Sequence, residues 1–359
     1  MSDIRSVTDD LPGHLEGRED HIEQERESFL RGRFAVREGL EYEIPRVADR
    51  LPYFFGSITL FANIIQILTG IYLTQFYNSD PASAHQSVLY IVNRAWLGDF
   101  TRSVHRWSAN LILVTVTLHL LWVFWRGSYR RPREFTWWAG VLMLGALFLL
   151  YFTGTVLPND QAGYEAMAHY ITAARSTGVL GSIFTPEFTA SVDVVPRLYA
   201  FHISVLPILL FAFLGLHLYL IRFLEIHTHP GEHKGGSTFK RHFRRMFAHG
   251  FIFLAVAGLL SLVWPAELGH PAVEGAEVTK PPFFFLWIYA LENWFGTKAL
   301  VFGPPLVYLM LFLPPLLDRK ESTLPRDRKA ILFVGFAVVL LLLALATYAW
   351  FAPRQEHLM

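Results

Sequence analysis

Residues 101–126 read "TRSVHRWSANLILVTVTLHLLWVFWR", an apolar run that carries His105 and His119, with Arg102 and Arg106 beside the first. At about 1.5 Å per residue the run is long enough to cross roughly 30 Å of hydrocarbon. A charged side chain left unpaired near a bilayer centre costs roughly 2.5–3.5 kcal/mol or more. The fold that contains this stretch has to supply partners for these groups.

The rest of the chain agrees with a membrane setting. Of 359 residues 53% are hydrophobic, 15% are aromatic and only 17% are charged, and the mean hydropathy is positive. Seven segments are apolar enough to span a bilayer, near 54–76, 105–125, 136–157, 199–224, 247–264, 299–317 and 330–351. Pro207, Pro304-Pro305 and Pro314-Pro315 interrupt three of them, which neighbouring helices tolerate by satisfying the freed carbonyls. The expected fold is all-α and polytopic, with about seven transmembrane helices.

No nucleic-acid partner is expected; the net charge of +1 says nothing about one, but its distribution predicts an orientation. Arg126, Arg130, Arg131 and Arg133 fill one connection. Lys234, Lys240, Arg241, Arg244 and Arg245 fill a second, and Arg319, Lys320, Arg326, Arg328 and Lys329 a third. The alternate connections hold only Arg94, then Arg175 and Arg197, then Lys280 and Lys298. The positive-inside rule makes the basic side cytoplasmic, with the N-terminus inside and the C-terminus outside. Residues 1–50 are charged and lack the apolar centre of a signal peptide, so they read as a cytoplasmic extension, in which "EGREDHIEQERESFLRGRF" reads as a solvated arm or a surface helix. With no cysteine, disulfides, thiolate metal sites and thioether attachment of haem are excluded.

His105 and His119 stand 14 residues apart, and His202 and His217 stand 15 apart in "YAFHISVLPILLFAFLGLHLYL". At about 100° per residue these spacings return to within roughly 40–60°, so each pair shares a helix face, separated by about 21–22 Å along the axis. The second and fourth spans run in the same direction, so His105 opposes His202 on the outer side and His119 opposes His217 on the inner side. Two imidazoles on facing helices are natural axial ligands of a haem buried among apolar side chains. Gly56 and Gly70, and Gly140 and Gly154, repeat the spacing of 14 on the first and third spans. A missing side chain there lets a helix backbone approach the flat face of a macrocycle.

"RSVHRWSA", "RPREFTW", "TGTVLPNDQAGY" and the two histidine pairs resemble the cytochrome b family of Rieske/cytochrome b complexes, and within it cytochrome b6 more than the mitochondrial form. The resemblance is carried by residues 51–225; over 247–351 the chain is similar to the three-helix subunit IV that partners cytochrome b6. It implies a cytoplasmic extension over 1–50, a four-helix diheme domain over 51–225, a linker over 226–246 and a three-helix domain over 247–359. It also implies two noncovalent haems b, an outer one on His105 and His202 and an inner one on His119 and His217, with Arg102 and Arg106 pairing with propionates. Quinol oxidation at an outer site would pass one electron to a Rieske iron–sulfur protein, and the other through the haems to an inner quinone. A cytochrome c-type subunit, membrane lipid, a homodimeric complex and a bacterial-type cytoplasmic membrane belong to the same implication.

The sequence departs from the family pattern at the outer site. Where the family carries Pro-Glu-Trp-Tyr, "KPPFFFLW" gives Pro281, Pro282, Phe283 and Phe284, so the glutamate thought to accept a quinol proton is missing. Leu157-Pro158-Asn159 followed by Asp160 replaces Leu-Pro-Trp, and Glu165 stands where the cytochrome b6 pattern has Trp. Glu165 is expected to point into the vacated volume opposite Pro282 and to serve as the relocated acid, with Asp160 and Glu292 as the other carboxylates in reach. Ala62 occupies the position of the cysteine that tethers an extra haem in cytochrome b6, so no covalent haem c is expected. Two other function classes stand beside this one. A diheme anchor exchanging electrons with a non-Rieske partner usually has four or five spans, and a transporter would show an inverted repeat that this chain lacks.

Overall fold

The computed structural model describes residues 42–232, 235–319 and 322–358. Most of the charged extension, including its expected surface helix, lies outside the described residues. The first described element, β1 (Glu43–Pro45), pairs antiparallel with β2 (Gly236–Thr238). This pairing ties the start of the described chain to the strongly basic connection. Asp49 sits at the junction, where its Oδ2 accepts from Ser237 Oγ at 2.6 Å and Arg241, His242 and Arg245 surround it.

The helices follow in order as α1 (Phe55–Thr74), α2 (Ala84–Asn93), α3 (Gly98–Arg126), α4 (Glu134–Val156), α5 (Gln161–Ser176) and α6 (Val194–Leu224). After β2 come α7 (Phe239–Val263), α8 (Leu286–Phe295), α9 (Lys298–Phe312) and α10 (Lys329–Phe351). Their ends have local causes. Gly127 adopts φ 65° after α3, a left-handed stop that costs glycine little. Asp160 caps α5 by accepting from the Gly163 N–H at 2.9 Å.

Among the described residues six helices are long and apolar enough to cross a membrane: α1, α3, α4, α6, α7 and α10. The sixth expected span, 299–317, is the shorter α9, interrupted after Phe312 and resumed for one turn at Pro314–Leu317. Proline explains the difference, because it donates no N–H and its ring crowds the carbonyl four residues back. Pro304-Pro305 lie inside α9 and Pro314-Pro315 restart the chain beyond it.

α1 packs on α3 and α4 packs on α6, which makes two antiparallel pairs, and α7 covers α1 and α3. The core between the pairs holds Ala62, Ile65, Ile112, Leu113, Leu147 and Leu210. On each helix these residues fall between the two levels marked by the histidines or glycines, so an apolar layer separates the levels. Outward-facing residues such as Ile208, Phe223, Phe333 and Leu340 are exposed, as expected of surface that meets lipid rather than water. α8, α9 and α10 form a second group, and its helices wall a cavity against α4 and α5.

Candidate functional site: two histidine levels and a cavity between the two helix groups

The structure brings the four histidines together as two opposed pairs. The rings of His105 and His202 have centroids 6.4 Å apart. Two imidazoles sharing one iron sit about 2 Å from it each, which with their ring radii gives centroids roughly 6–6.5 Å apart. His202 lies in a π-helical turn, Phe201–Val205, inside α6. Such turns re-aim a side chain and recur at functional sites.

The hydrogen bonds settle which nitrogen is available in three of the four rings. Thr69 Oγ1 donates to the Ile65 carbonyl at 2.7 Å, so toward His105 Nδ1, 2.8 Å away, it accepts. Thr153 does the same, donating to Leu149 O at 2.8 Å and accepting from His202 Nδ1 at 2.8 Å. His217 Nδ1 meets the Thr136 carbonyl at 2.8 Å, and a carbonyl can only accept. In all three the proton is held on Nδ1 and the Nε2 lone pair is left for a metal. His119 Nδ1 has no hydrogen-bond partner among the described residues.

The four glycines meet the histidines one to one. A Cβ built on Gly56 would lie 2.9 Å from His119 Cε1, and one on Gly154 would lie 3.1 Å from His202 Cε1. On Gly70 and Gly140 it would come within 3.6 Å and 3.5 Å of His105 and His217. At each of these glycines an imidazole edge thus lies close against the helix backbone. His119 and His217 also wall a cavity of about 1190 Å³ near the basic face, with Gly56, Gly140, Arg133 and Arg222 among its lining. The donor set, the centroid distance and the fixed tautomers fit haem.

The two arginines beside His105 separate. Arg102 donates to the carbonyls of Ala266 and Glu267, so it clasps the chain that follows α7. Arg106 lies over the Tyr151 ring at 5.5 Å and has only a 3.5 Å contact to Thr155 Oγ1. Of the two, Arg106 is the less engaged and has more donors left for a propionate.

A second cavity, of about 1050 Å³, lies between the two helix groups. Phe148, Phe152 and Thr155 of α4 wall one side, and Pro281, Pro282, Phe283, Phe284 and Phe285 the other. Phe284 and Phe285 pack on Tyr151 with ring centroids 5.9 and 5.5 Å away. Two of the three carboxylates expected here are engaged. Asp160 caps α5 and also accepts from the Gly269 N–H at 2.9 Å. Glu165 accepts from Gln161 Nε2 at 2.8 Å, the Val278 N–H at 2.7 Å, the Thr279 N–H at 2.9 Å and the Thr279 hydroxyl. It pins the segment that leads into Pro281. Glu165→Ala would strand these donors, and buried unsatisfied donors cost about 1–3 kcal/mol each. The expected outcome is a stability loss of about 3 kcal/mol with faster proteolysis in 273–279, read by limited proteolysis and thermal unfolding.

Beside Glu165 the structure assembles groups that sequence patterns did not bring together: His169, Glu277, Glu292 and His357. His169 Nε2 lies 3.2 Å from Glu277 Oε1 and 3.5 Å from Glu292 Oε1, and His357 Nδ1 lies 3.2 Å from Glu277 Oε1. The i, i+4 spacing of Glu165 and His169 was a usable signal, since it puts both on one helix face.

The comparisons with known proteins agree with the histidine geometry. Residues 42–225 match the family described as "Cytochrome b/b6/petB". The chain belongs to the cytochrome b/b6 family. It is 33% identical over 197 residues to the menaquinol:cytochrome c reductase cytochrome b subunit of Bacillus subtilis, 52% of this chain and 88% of that protein. To the cytochrome b6 of Heliobacterium mobile it is 34% identical over 186 residues, 51% of this chain and 87% of that one. The likeness to the cytochrome bc complex cytochrome b subunit of Chlorobaculum thiosulfatiphilum is 28% but runs over 86% of this chain and 76% of that one. A solved chain described as "Hyperthermophilic respiratory Complex III" superposes with a TM-score of 0.75 at 25% identity, covering 92% of this chain and 93% of its own. The cytochrome b likeness therefore extends past the four-helix part into α7–α10.

Proposed function

We propose that this cytochrome b is the diheme, quinone-reactive subunit of a quinol-oxidising Rieske/cytochrome b-type complex. The observation that carries the proposal is the pair of histidine levels with Nδ1 protons held by Thr69, Thr153 and the Thr136 carbonyl. His105 with His202, and His119 with His217, would hold two noncovalent haems b, which when bound supply one-electron carriers near each face. The threonines and the carbonyl fix the ring planes and raise ligand basicity. Arg106 offers charge-assisted hydrogen bonds to a propionate. The apolar layer of Ile65, Ile112, Leu147 and Leu210 keeps water from the path between the levels. The apolar cavity at Phe148, Phe152 and Phe283–Phe285 accommodates a quinol ring.

The names of the relatives in Bacillus and Chlorobaculum support a quinol as reductant and a bc-type assembly. We assign the partners accordingly: a Rieske iron–sulfur protein and a cytochrome c-type subunit, in a homodimeric complex of a bacterial cytoplasmic membrane. Residues 51–225 form the diheme domain, 226–246 a linker and 247–359 the three-helix domain. The N-terminus is cytoplasmic and the C-terminus exterior, on the basis of the three basic connections.

An optical redox titration of the purified complex is expected to resolve two haem b transitions, and added menaquinol to reduce both haems. A preparation without a haem b spectrum, or one that menaquinol leaves oxidised, overturns the proposal.

A further inference from the structure

We propose that Glu292 accepts a proton of quinol oxidised in the cavity beside Phe284, and that His169, Glu277 and the C-terminal His357 carry it outward. This rests on the proposed function, since it needs quinol as substrate. Oxidation to quinone releases two electrons, taken singly by the complex's haem and its iron–sulfur partner, and two protons. One of these protons is the concern here, and "PPFF" supplies no side chain that can take it.

Glu292 has the form of an acceptor. Its side chain is 2% exposed, and its Oε1 has no hydrogen-bond partner among the described residues. This contrasts with Glu165 and Asp160, whose oxygens are filled. Opposite it, His169 donates its Nδ1–H to the Glu165 carbonyl at 2.8 Å. That leaves Nε2 with its lone pair facing Glu292 and Glu277, and it too lacks a hydrogen-bond partner. The carboxylate takes the quinol proton to become a carboxylic acid, hands it to His169 Nε2, and regains its charge. Glu277 Oε1, 3.2 Å from both His169 Nε2 and His357 Nδ1, bridges the next transfer.

The direction of travel follows from which groups face the cavity. Glu292, His169 and Glu277 line it, whereas His357 stands behind them. Beyond His357 the chain at Pro353–Glu356 is exposed, as are Val273–Gly275. The tail is held in place for this task. Glu277 Oε2 accepts from the His357 N–H at 2.8 Å and the Leu358 N–H at 3.2 Å. Tyr289 Oη accepts from the Gln355 N–H at 2.9 Å. Lys280 Nζ donates to the carbonyls of Ala349, Trp350 and Ala352, and Arg354 to that of Val278.

The titratable groups around Glu292 are His169 from α5, Glu277 from the segment before Pro281, His357 from the tail and Tyr289 from its own helix. Burial raises its carboxyl to about 7, reinforced by Glu277 and opposed by His169. An acceptor must be ionised, so quinol-driven haem reduction should rise with pH through about 7 and level off above it.

The test uses the whole complex with menaquinol as the reductant. Glu292→Gln is expected to slow haem reduction about a hundredfold and to abolish the inflection near pH 7, with both haem spectra intact. Glu292→Asp should restore part of the rate. An infrared carboxylic-acid band titrating with a midpoint of about 7 should vanish in Glu292→Gln. His357→Ala, at the far end of the relay from the cavity, should slow reduction about tenfold while keeping that band. Its folding is the safer of the two, so it decides the matter if Glu292→Gln fails to assemble. Parental rates with an unshifted pH profile in either variant overturn the relay. A parental complex that menaquinol cannot reduce at any pH overturns the functional proposal instead.

Discussion

Alanine at His105 or His202 is expected to remove one haem per chain, and alanine at His119 or His217 the other. Under the proposed ligation each pair would hold one haem, so the loss of either member would leave a single imidazole to hold and orient it. The remaining ring keeps its hydrogen bond, from His105 to Thr69 or from His202 to Thr153, and cannot shift to compensate. A pyridine haemochrome assay should fall from two haems per chain to one. Because bound haem stabilises the folded state by mass action, about 4 kcal/mol where it is a thousandfold above its Kd, thermal stability should fall with it. Gly154→Val should reproduce His202→Ala, since its first side-chain carbon would press on the His202 ring at 3.1 Å. Two haems retained in His202→Ala would refute the ligand assignment. So would the loss of both levels from each single variant, because the apolar layer between them makes the sites separate.

The features legible in the sequence were those set by periodicity. The spans, the matched spacing of the two histidine pairs and the direction of their helices all follow from 3.6 residues per turn, and the rings of His105 and His202 lie 6.4 Å apart. The glycines, found by the same arithmetic, lie against the imidazole edges. What periodicity does not encode is where a side chain's hydrogen bonds go. Arg102 and Arg106 are one turn apart on α3, yet one donates to the Ala266 and Glu267 carbonyls of a loop 164 residues away. Glu165 stands on the expected helix and beside the cavity, but the Val278 and Thr279 amides meet its oxygens. The His169, Glu277, Glu292 and His357 cluster draws one residue from each of four segments, so no local pattern marks it. The sixth span shows a different limit, since hydropathy counts apolar residues while proline pairs decide whether they form one helix.

The other large effect is expected at the join between the two helix groups. Arg328, with its side chain wholly buried, donates from Nε to Asp318 Oδ2 at 2.6 Å and from a terminal nitrogen to Tyr129 Oη at 2.6 Å. Its remaining donors reach the Phe124, Trp125 and Thr323 carbonyls, which closes the C-terminal end of α3 with a cation. Tyr129 donates to the same Asp318 oxygen at 2.7 Å. Both charges are out of water, so removing one strands the other. Asp318→Ala should therefore cost about 3–5 kcal/mol, and Tyr129→Phe, which removes only a hydroxyl, about 1–2 kcal/mol. Thermal unfolding of the purified complex measures both. The consequence for the proposed function is separable from haem binding, because α10 begins at Lys329 and walls the cavity beside Phe284 while the four histidines sit on α3 and α6. In Asp318→Ala the haem content should stay at two per chain while menaquinol-driven reduction slows. An unchanged unfolding midpoint in that variant would show that the buried triad does not fasten the two groups.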